Sequence, residues 1–465
     1  MSGYQVPYDY PSQASNNPEI PHSYMGDSLR HFPGARSSLH YIPTSSGSNI
    51  TQSSSALFMV PQSSHGYVRP GSMYLKGTCV VSGEISMSAD AVASLAWTFA
   101  GQNTTAANIP GVIVAGNGSA NSLFNRWTCT MGGLTMSYSN TNQFSSCVLP
   151  HVLSKDFCES DDRQSCLRGW SKVCNGANLA AVNIDSNKTA CFCVPVPLPC
   201  FNSETAFPLL LLNGGVQIEV QTESLFSAIH ARAATSVTGF SLSGLTLCYE
   251  LTNVTDDYKR ALIAAKRDSG YLVHINDVMS IGPQAVAAGA STRLSLGVAL
   301  SSLKGGVFSM MPVSCTNNVT SAKFWTTNAL STYDISVNGQ IVTLSNIIDD
   351  TTMYQELQRS LGRLSDTSVT SALIPLLNTN GTNLRTNYTT SQFCAGFSTN
   401  VCDGWELTST GVPIDNLAMN LTFVATSNAN MFQSAIASAD ASLYLWLFYD
   451  SVLVIGADGM CTLRK

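Results

Sequence analysis

Residues 214–221 read GGVQIEVQ, and within this run Val216, Ile218 and Val220 alternate with Gln217, Glu219 and Gln221. A period of two sends successive side chains to opposite faces, so the stretch predicts a strand with one face in a core and the other in polar surroundings. The pattern recurs outward in both directions. Phe240, Leu242, Leu245, Leu247, Tyr249 and Leu251 alternate with a one-residue slip at Ser243-Gly244, which predicts a bulge. Leu294, Leu296, Val298 and Leu300 are expected on one face of a strand, and Leu417, Met419, Leu421 and Phe423 on one face of another. Asn338-Gly339 and Asp458-Gly459 tolerate the positive φ angles of two-residue type I′ hairpins and mark their tips. From Leu443 to Phe448 both faces are apolar, Leu443, Leu445 and Leu447 against Tyr444, Trp446 and Phe448, so this strand needs cover on two sides. After Gly71 such short segments, separated by Gly, Asn, Asp, Ser and Pro, predict an all-β protein of sandwiches or barrels.

Few helices interrupt the strands. One is predicted from Thr255 as N-cap, through Asp256 and Asp257 in its first turn, to Lys266 and Arg267 in its last, with Gly270 beyond. It divides the β region nearly in half. A second is predicted from Asp350 to Ser365 on the spacing of Tyr354, Leu357, Leu361 and Leu364, and a weaker one from Asn142 to Ser154. Each half therefore reads as strands, a helix, then more strands, a coarse structural duplication. Residues 1–70 are rich in Ser, Pro, Asn, Gln, Tyr and His without a sustained hydrophobic period, which predicts an extended arm outside either core. On this reading, deleting residues 1–60 should leave the fold intact.

A chain of 465 residues exceeds the length at which one core stops growing, and two domains of roughly 200 residues are expected. Apolar residues make up 44% and charged residues only 11%, less than half the charge density of an ordinary soluble domain, so Ser, Thr, Asn, Gly or neighbouring subunits must cover the surface. A net charge of -6 without clustered Lys and Arg argues against binding nucleic acid by bulk electrostatics. The segment MSGYQVPYDYPSQ at the N-terminus has neither a basic nor an apolar region of a cleaved signal, so export is not expected. The most apolar stretch, Ser442 to Gly456, is too short for a bilayer-spanning helix and carries Asp450.

Fourteen cysteines are spread along the chain, and most are expected to be buried thiols. Six of them, Cys158, Cys166, Cys174, Cys191, Cys193 and Cys200, fall in one region, where Cys191-Phe192-Cys193 is a candidate soft-metal pair. That region lacks paired CxxC knuckles, which favours free thiols over zinc or disulfides. Alternation fades between Ser154 and Thr189, which predicts a loop-rich excursion. No histidine stands at catalytic or metal-motif spacing: His22, His31, His40 and His65 are expected to be solvated in the arm, and His151, His230 and His274 to be structural. Asp349-Asp350 and Asp256-Asp257 could be general acid/base pairs, but each starts a predicted helix, where the macrodipole accounts for them. Gly116-Asn117-Gly118 needs only a turn. Sequons at Asn103, Asn187, Asn253, Asn318, Asn387 and Asn420 are expected in a chain this rich in Asn, Ser and Thr, and would stay unmodified without export. No catalytic, cofactor-binding or metal site is assigned, and no cofactor is expected.

Four segments, in order, resemble the double jelly-roll major capsid proteins of virophages, polinton-like viruses and larger icosahedral double-stranded DNA viruses. They are SLFNRWTCTMGGLTMSYSNTNQF at residues 122–144, CFCVPVPLPCFNSETAFPLLLLNGGVQIEV at 191–220, FSLSGLTLCYELTNVTDDYKRAL at 240–262, and LWLFYDSVLVIGADGMCTLRK at 445–465. The resemblance implies two tandem eight-stranded jelly-roll sandwiches, 71–254 and 271–465, joined by a linking helix at 255–270 and preceded by the 1–70 arm. It implies a structural, non-enzymatic subunit of a virion shell, assembled inside the host cell as a pseudo-hexagonal homotrimer. The partners it implies are neighbouring capsomers and minor capsid and penton proteins, without sequence-specific nucleic-acid binding; an inner-membrane contact is left open. The alternative from the residues alone is a surface or secreted carbohydrate-binding β-sandwich, which the cysteines and sequons would suit and the missing signal opposes. A tandem-β glycoside hydrolase ranks last, since it needs two carboxylates facing each other across a cleft.

Overall fold

The structure is a computed structural model describing residues 36–84, 97–99, 104–105, 113–114, 120–148, 151, 189–203, 205–231, 236–266, 270–316, 324–343, 350–362, 393–399, 411–425 and 437–465. In the first half the strands are β1 (Arg36–Pro43), β2 (Asn49–Thr51), β3 (Ser55–Val60), β4 (Gly66–Val68), β5 (Tyr74–Glu84), β6 (Trp97–Phe99) and β7 (Thr104–Thr105). They continue with β8 (Ile113–Val114), β9 (Phe124–Met131), β10 (Leu134–Tyr138), β11 (Thr189–Pro195), β12 (Val216–Thr222), β13 (Ile229–Ala231) and β14 (Ser236–Asn253). A helix, Asp256–Lys266, links them to the second half. There the strands are β15 (Tyr271–Val286), β16 (Thr292–Leu296), β17 (Leu300–Pro312), β18 (Leu330–Val337) and β19 (Gln340–Ile341). The last are β20 (Ala395–Ser398), β21 (Val412–Ile414), β22 (Leu417–Phe423), β23 (Ala441–Ile455) and β24 (Cys461–Arg464).

Each half is built on two sheets. The first has the orders β1-β14-β5-β11 and β10-β9-β12-β3, the second β15-β23-β17-β20 and β19-β18-β22-β16. These orders correspond strand for strand. In each half the chain begins at the edge of one sheet (β1, β15) and passes to the edge of the other (β3, β16). It ends in the second place of the first sheet (β14, β23). Helix Thr141–Cys147 follows β10, and helix Asp350–Ser360 follows β19. The duplication read from the order of elements is thus a repeat of one topology, four strands along the main path of each sheet, with β2 and β4 added beside β14 in the first half and β21 and β24 beside β17 and β23 in the second.

Val216, Ile218 and Val220 are fully buried, because β12 lies between β9 and β3 and turns this row into the sandwich. The slip in β14 is present: its register against β5 shifts between Ser243 and Thr246, and Gly244 takes a φ of 62°. Asn338 (49°) and Gly339 (82°) both have positive φ in the β18–β19 turn, as a type I′ hairpin requires. Leu417, Met419, Leu421 and Phe423 are all buried on β22.

Several expectations are corrected. The arm assigned to residues 1–70 is too long: β1 to β4 are strands of the first half, and only residues 1–35 precede them, outside the described residues. Ala56, Phe58 and Val60 are fully buried, and β3 pairs with β12 from Val60↔Val216 to Ser55↔Gln221. The partner is distant in sequence and the alternation lasts a few residues among serines, so nothing local marks β3. Strands of the first sandwich are therefore present from Arg36 on, well before residue 71. Leu294 to Leu300 is two strands rather than one. β16 pairs with β22 and β17 with β23, so the chain crosses between sheets near Gly297, and the apolar period persists because both sheets face one core. Of the helix predicted from Asn142 to Ser154, Thr141–Cys147 is helical, with residues 149–150 and 152–154 outside the described residues, and the one predicted from Asp350 to Ser365 ends at Ser360 before a turn at Gly362. At Asp458-Gly459 only the glycine has positive φ, and Gly459 N–H donates to Gly456 O, so the tip is wider than a two-residue hairpin. The excursion between Ser154 and Thr189 lies outside the described residues.

Removing residues 1–60 is now expected to abolish soluble, β-rich protein, since it strips β1 to β3 from both sheets. The expected outcome, checked by circular dichroism and urea unfolding, contrasts with removal of residues 1–35, which should keep the transition. Phe58→Ala should lower unfolding free energy by about 3–5 kcal/mol.

Candidate functional site

The candidate functional surfaces are those where β elements meet other elements. The most developed is the seam between the halves. The Met131-Gly132-Gly133-Leu134 turn, with both glycines at positive φ (48° and 78°), returns β9 into β10, and the chain then enters the helix Thr141–Cys147. Asn140, with φ 54°, precedes that helix and donates from Nδ2 to Ser280 Oγ and Gly282 O, both at 3.1 Å, across the seam. One turn on, the Phe144 ring stands edge-on to Trp446 with centroids 5.9 Å apart. Trp446 stacks with Tyr444 at 6.1 Å, and Trp325 meets both edge-on at 6.2 and 5.5 Å. This is the second cover that the doubly apolar run Leu443–Phe448 requires. Leu443, Leu445 and Leu447 are buried in the second core, while Tyr444 and Trp446 are buried on the opposite face.

Traffic across the seam runs both ways. Cys147 and Val148 of the first half belong to the core of the second, whereas Tyr271, Val273, Ile275, Leu453, Ile455 and Cys461 of the second half belong to the core of the first. Asp277, 3% exposed, accepts from Tyr449 Oη at 2.7 Å and from Ser451 Oγ at 3.4 Å, and Tyr138 of the first half lies near enough to feel its charge. Burial, then the charge on Asp277, pushes both tyrosines far above the ordinary phenol value.

Glu223 lies beside a cleft of about 320 Å³ lined by both halves, among them Asn140, Gln143, Pro283, Met311 and Tyr444. Its carboxylate accepts from Asn142 Nδ2 at 2.7 Å and from Ser224 N–H at 2.8 Å. Burial raises its pKa above the ordinary 4.5, and those hydrogen bonds only partly oppose the shift. The Tyr444 phenol is pushed up to about 12 by burial and, secondarily, by Glu223.

The residues singled out by sequence fall mostly elsewhere. His40 is not solvated in an arm: it lies on β1, stacked on Tyr249 at 5.3 Å. His65 Nε2 is 2.6 Å from Asp256 Oδ1, fastening β4 to the linking helix, and this contact holds the Asp256 carboxyl below its usual range. Asp256 and Asp257 do occupy the first turn of that helix, and Asp350 begins the later one. His151 and His230 are buried and His274 is exposed on β15. His22, His31, Asp349, Gly116-Asn117-Gly118, Cys158, Cys166 and Cys174 lie outside the described residues, as do the sequons at Asn103, Asn187, Asn318 and Asn387. Asn253 ends β14, and Asn420 donates to Asp334 at 2.6 Å. Cys191 is exposed and Cys193 half-buried on the outward face of β11, with Phe192 buried between them, and Cys200 is buried. Among the described residues no group of three or more His, Cys, Asp and Glu side chains is arranged to hold a metal. Nor is any described helix long and apolar enough to cross a membrane; Ser442–Gly456 is chiefly β23, where Asp450 pairs with Lys304. The reading from sequence missed the seam helix as a contact, because its partner residues are far along the chain.

No family model matches the chain, and no curated protein matches it. Solved structures do. The PBCV-1 protein VP54, fitted into a reconstruction of the virophage Sputnik, superposes with a TM-score of 0.56 at 12% identity, over 94% of this chain and 98% of that one. The mavirus major capsid protein gives 0.51 at 11% identity, over 100% and 95% of the two chains. The fold is a double jelly roll. The Faustovirus major capsid protein shares it, with a TM-score of 0.50 at 10% identity over 93% of this chain and 92% of that one. Its two jelly rolls are the strand-matched halves, and the seam joins them into one body of side-by-side sandwiches.

Glu223→Gln tests the electrostatics of the seam. A carboxyl whose pKa is raised on folding weakens the fold as pH climbs above 4.5, where the unfolded chain ionises first. Glutamine removes the charge but can accept from only one of the two donors, Asn142 Nδ2 or Ser224 N–H. The expected outcome is a difference in Tm, variant minus wild type, that rises by a few degrees between pH 4 and pH 7, read by calorimetry across pH.

Proposed function

We propose that this double jelly roll is the major structural subunit of an icosahedral viral shell, and that three copies form a pseudo-hexagonal capsomer. The observation that carries the reading is the strand-for-strand repeat. Two equivalent sandwiches held side by side by a buried seam give one chain two similar lobes, and three chains about an axis give six. The near-complete coverage of the mavirus and Faustovirus major capsid proteins supports it.

The free edges point the same way. β1 and β15 each end a sheet, and an uncovered edge strand invites uncontrolled pairing unless something covers it. Closed rotational symmetry does so with copies of the same chain. On the outward face of β1, Leu39 and Tyr41 are 48% and 53% exposed, with the Lys76 ammonium 4.6 Å from the Tyr41 ring, and Leu272 is exposed on β15. Such surfaces suit contacts within the trimer and with neighbouring capsomers, minor capsid proteins and penton proteins in the virion. The low charge density agrees with extensive contact between subunits, and nothing in it favours a genome-binding role.

The test is light scattering with negative-stain microscopy of the purified chain. The expected particle is a six-lobed trimer; a monodisperse monomer at micromolar concentration overturns the proposal. Leu39→Asp with Tyr41→Asp should leave the thermal transition nearly unchanged and reduce the trimer fraction at least tenfold.

A further inference from the structure

Cysteines gather where the two jelly rolls meet. Cys147 ends the seam helix of the first, and Cys394 immediately precedes β20 of the second. Both are fully buried. The Cys147 Sγ lies 3.8 Å from the carbonyl oxygen of Phe393, the neighbour of Cys394, and after burial it is the nearness of Cys147 that raises the Cys394 pKa. Both partners are held firmly. Phe393 donates its N–H to Trp325 O at 3.0 Å, and its carbonyl also accepts from Ser309 Oγ. The helix carrying Cys147 is pinned by Phe144 on Trp446.

We propose that Cys147 and Cys394 are a latent disulfide which, once oxidised, staples one jelly roll to the other across the seam. A disulfide needs its sulfurs about 2 Å apart, and the Cys147 sulfur already lies against the backbone that carries Cys394, within side-chain reach of it. With a peroxide as oxidant the step balances. One thiol attacks the peroxide oxygen to give a sulfenic acid and one water; the second thiol attacks the sulfenic sulfur and releases a second water. The pair loses two electrons and two protons, and the peroxide is reduced to water.

Burial pushes the Cys394 thiol well above its ordinary pKa, so little thiolate forms while the seam is closed and the pair stays reduced in a reducing compartment. If the shell reading holds, a particle assembled inside a cell and released into an oxidising medium would acquire the staple afterwards. The bond would close a very long loop, the geometry in which a cross-link constrains the unfolded chain most.

A second thiol group at the seam supplies the internal control. Cys129 and Cys200, both of the first jelly roll, are buried in the same core as Cys461 of β24. Cys461 N–H donates to Gly132 O across the seam at 2.8 Å. A bond between Cys129 and Cys200 would not join the halves.

The full-length protein, purified reduced and then desalted, is treated with hydrogen peroxide or diamide in separate arms, denatured, alkylated with iodoacetamide and mapped by mass spectrometry. The expected result is a Cys147–Cys394 linked peptide in near-stoichiometric yield and a Tm raised by several degrees, both reversed by dithiothreitol. Cys147→Ser and, as a second variant, Cys394→Ala should lose the linked peptide and the oxidative rise in Tm while changing the reduced Tm little. The proposal is overturned if Cys191 is oxidised while Cys147 and Cys394 both remain alkylatable. It is equally overturned if the dominant cross-link across the seam uses Cys461. Shell assembly of Cys147→Ser in reducing buffer is expected to be normal, so failure of the staple is distinguishable from failure of the capsid reading.

Discussion

A strand that is apolar on both faces cannot rest on one sandwich. β23 sends Leu443, Leu445 and Leu447 into the core of the second jelly roll and leaves Tyr444 and Trp446 on the opposite side. Exposed, those two rings would place a large apolar surface in water, at about 25 cal/mol for each Å². The first jelly roll supplies the cover through Phe144 and the short helix that carries it, with Trp325 completing an aromatic layer. The side-by-side arrangement follows from this requirement, and with it the positions of Asn140, Glu223 and Cys147.

The two halves share a topology but not a surface. On the first jelly roll, the outward face of β14 and its neighbours carries Thr246, Cys248, Tyr74, Lys76 and Cys193 rather than tryptophan. That face also carries the exposed Leu39 and Tyr41, whereas its counterpart on the second is covered at the seam.

Charge does little of the holding. Among the described residues, ion pairs join His65 to Asp256 at the linking helix, Arg69 to Glu250 beside β4, Lys304 to Asp450 on β23, and Arg359 to Glu356 within the helix Asp350–Ser360. Partial exposure limits each of the first three to a modest contribution. The buried polar groups at the seam, Asp277 with Tyr449 and Glu223 with Asn142, add little net stability, since each carboxyl leaves water to be there.

The sequence by itself determined the all-β class, the two halves, and the strands whose alternation is long enough to see. β12, β14, β22 and the double-faced β23 were legible because a period of two over six or more residues has few other causes. It also determined the linking helix, through acids at its start and Gly270, with a φ of 72°, beyond its end. Only the tertiary structure decided the rest. β1 and β3 read as arm because their serine-rich local pattern is silent about partners across the sheet, β14 and β12, brought up from much later in the chain. Leu294 to Leu300 read as one strand because two sheets facing one core impose the same apolar period. Phe144, Cys147 and Cys394 had no local signature at all. Their meaning lies in contacts between residues that only the closing of one sandwich against another brings together.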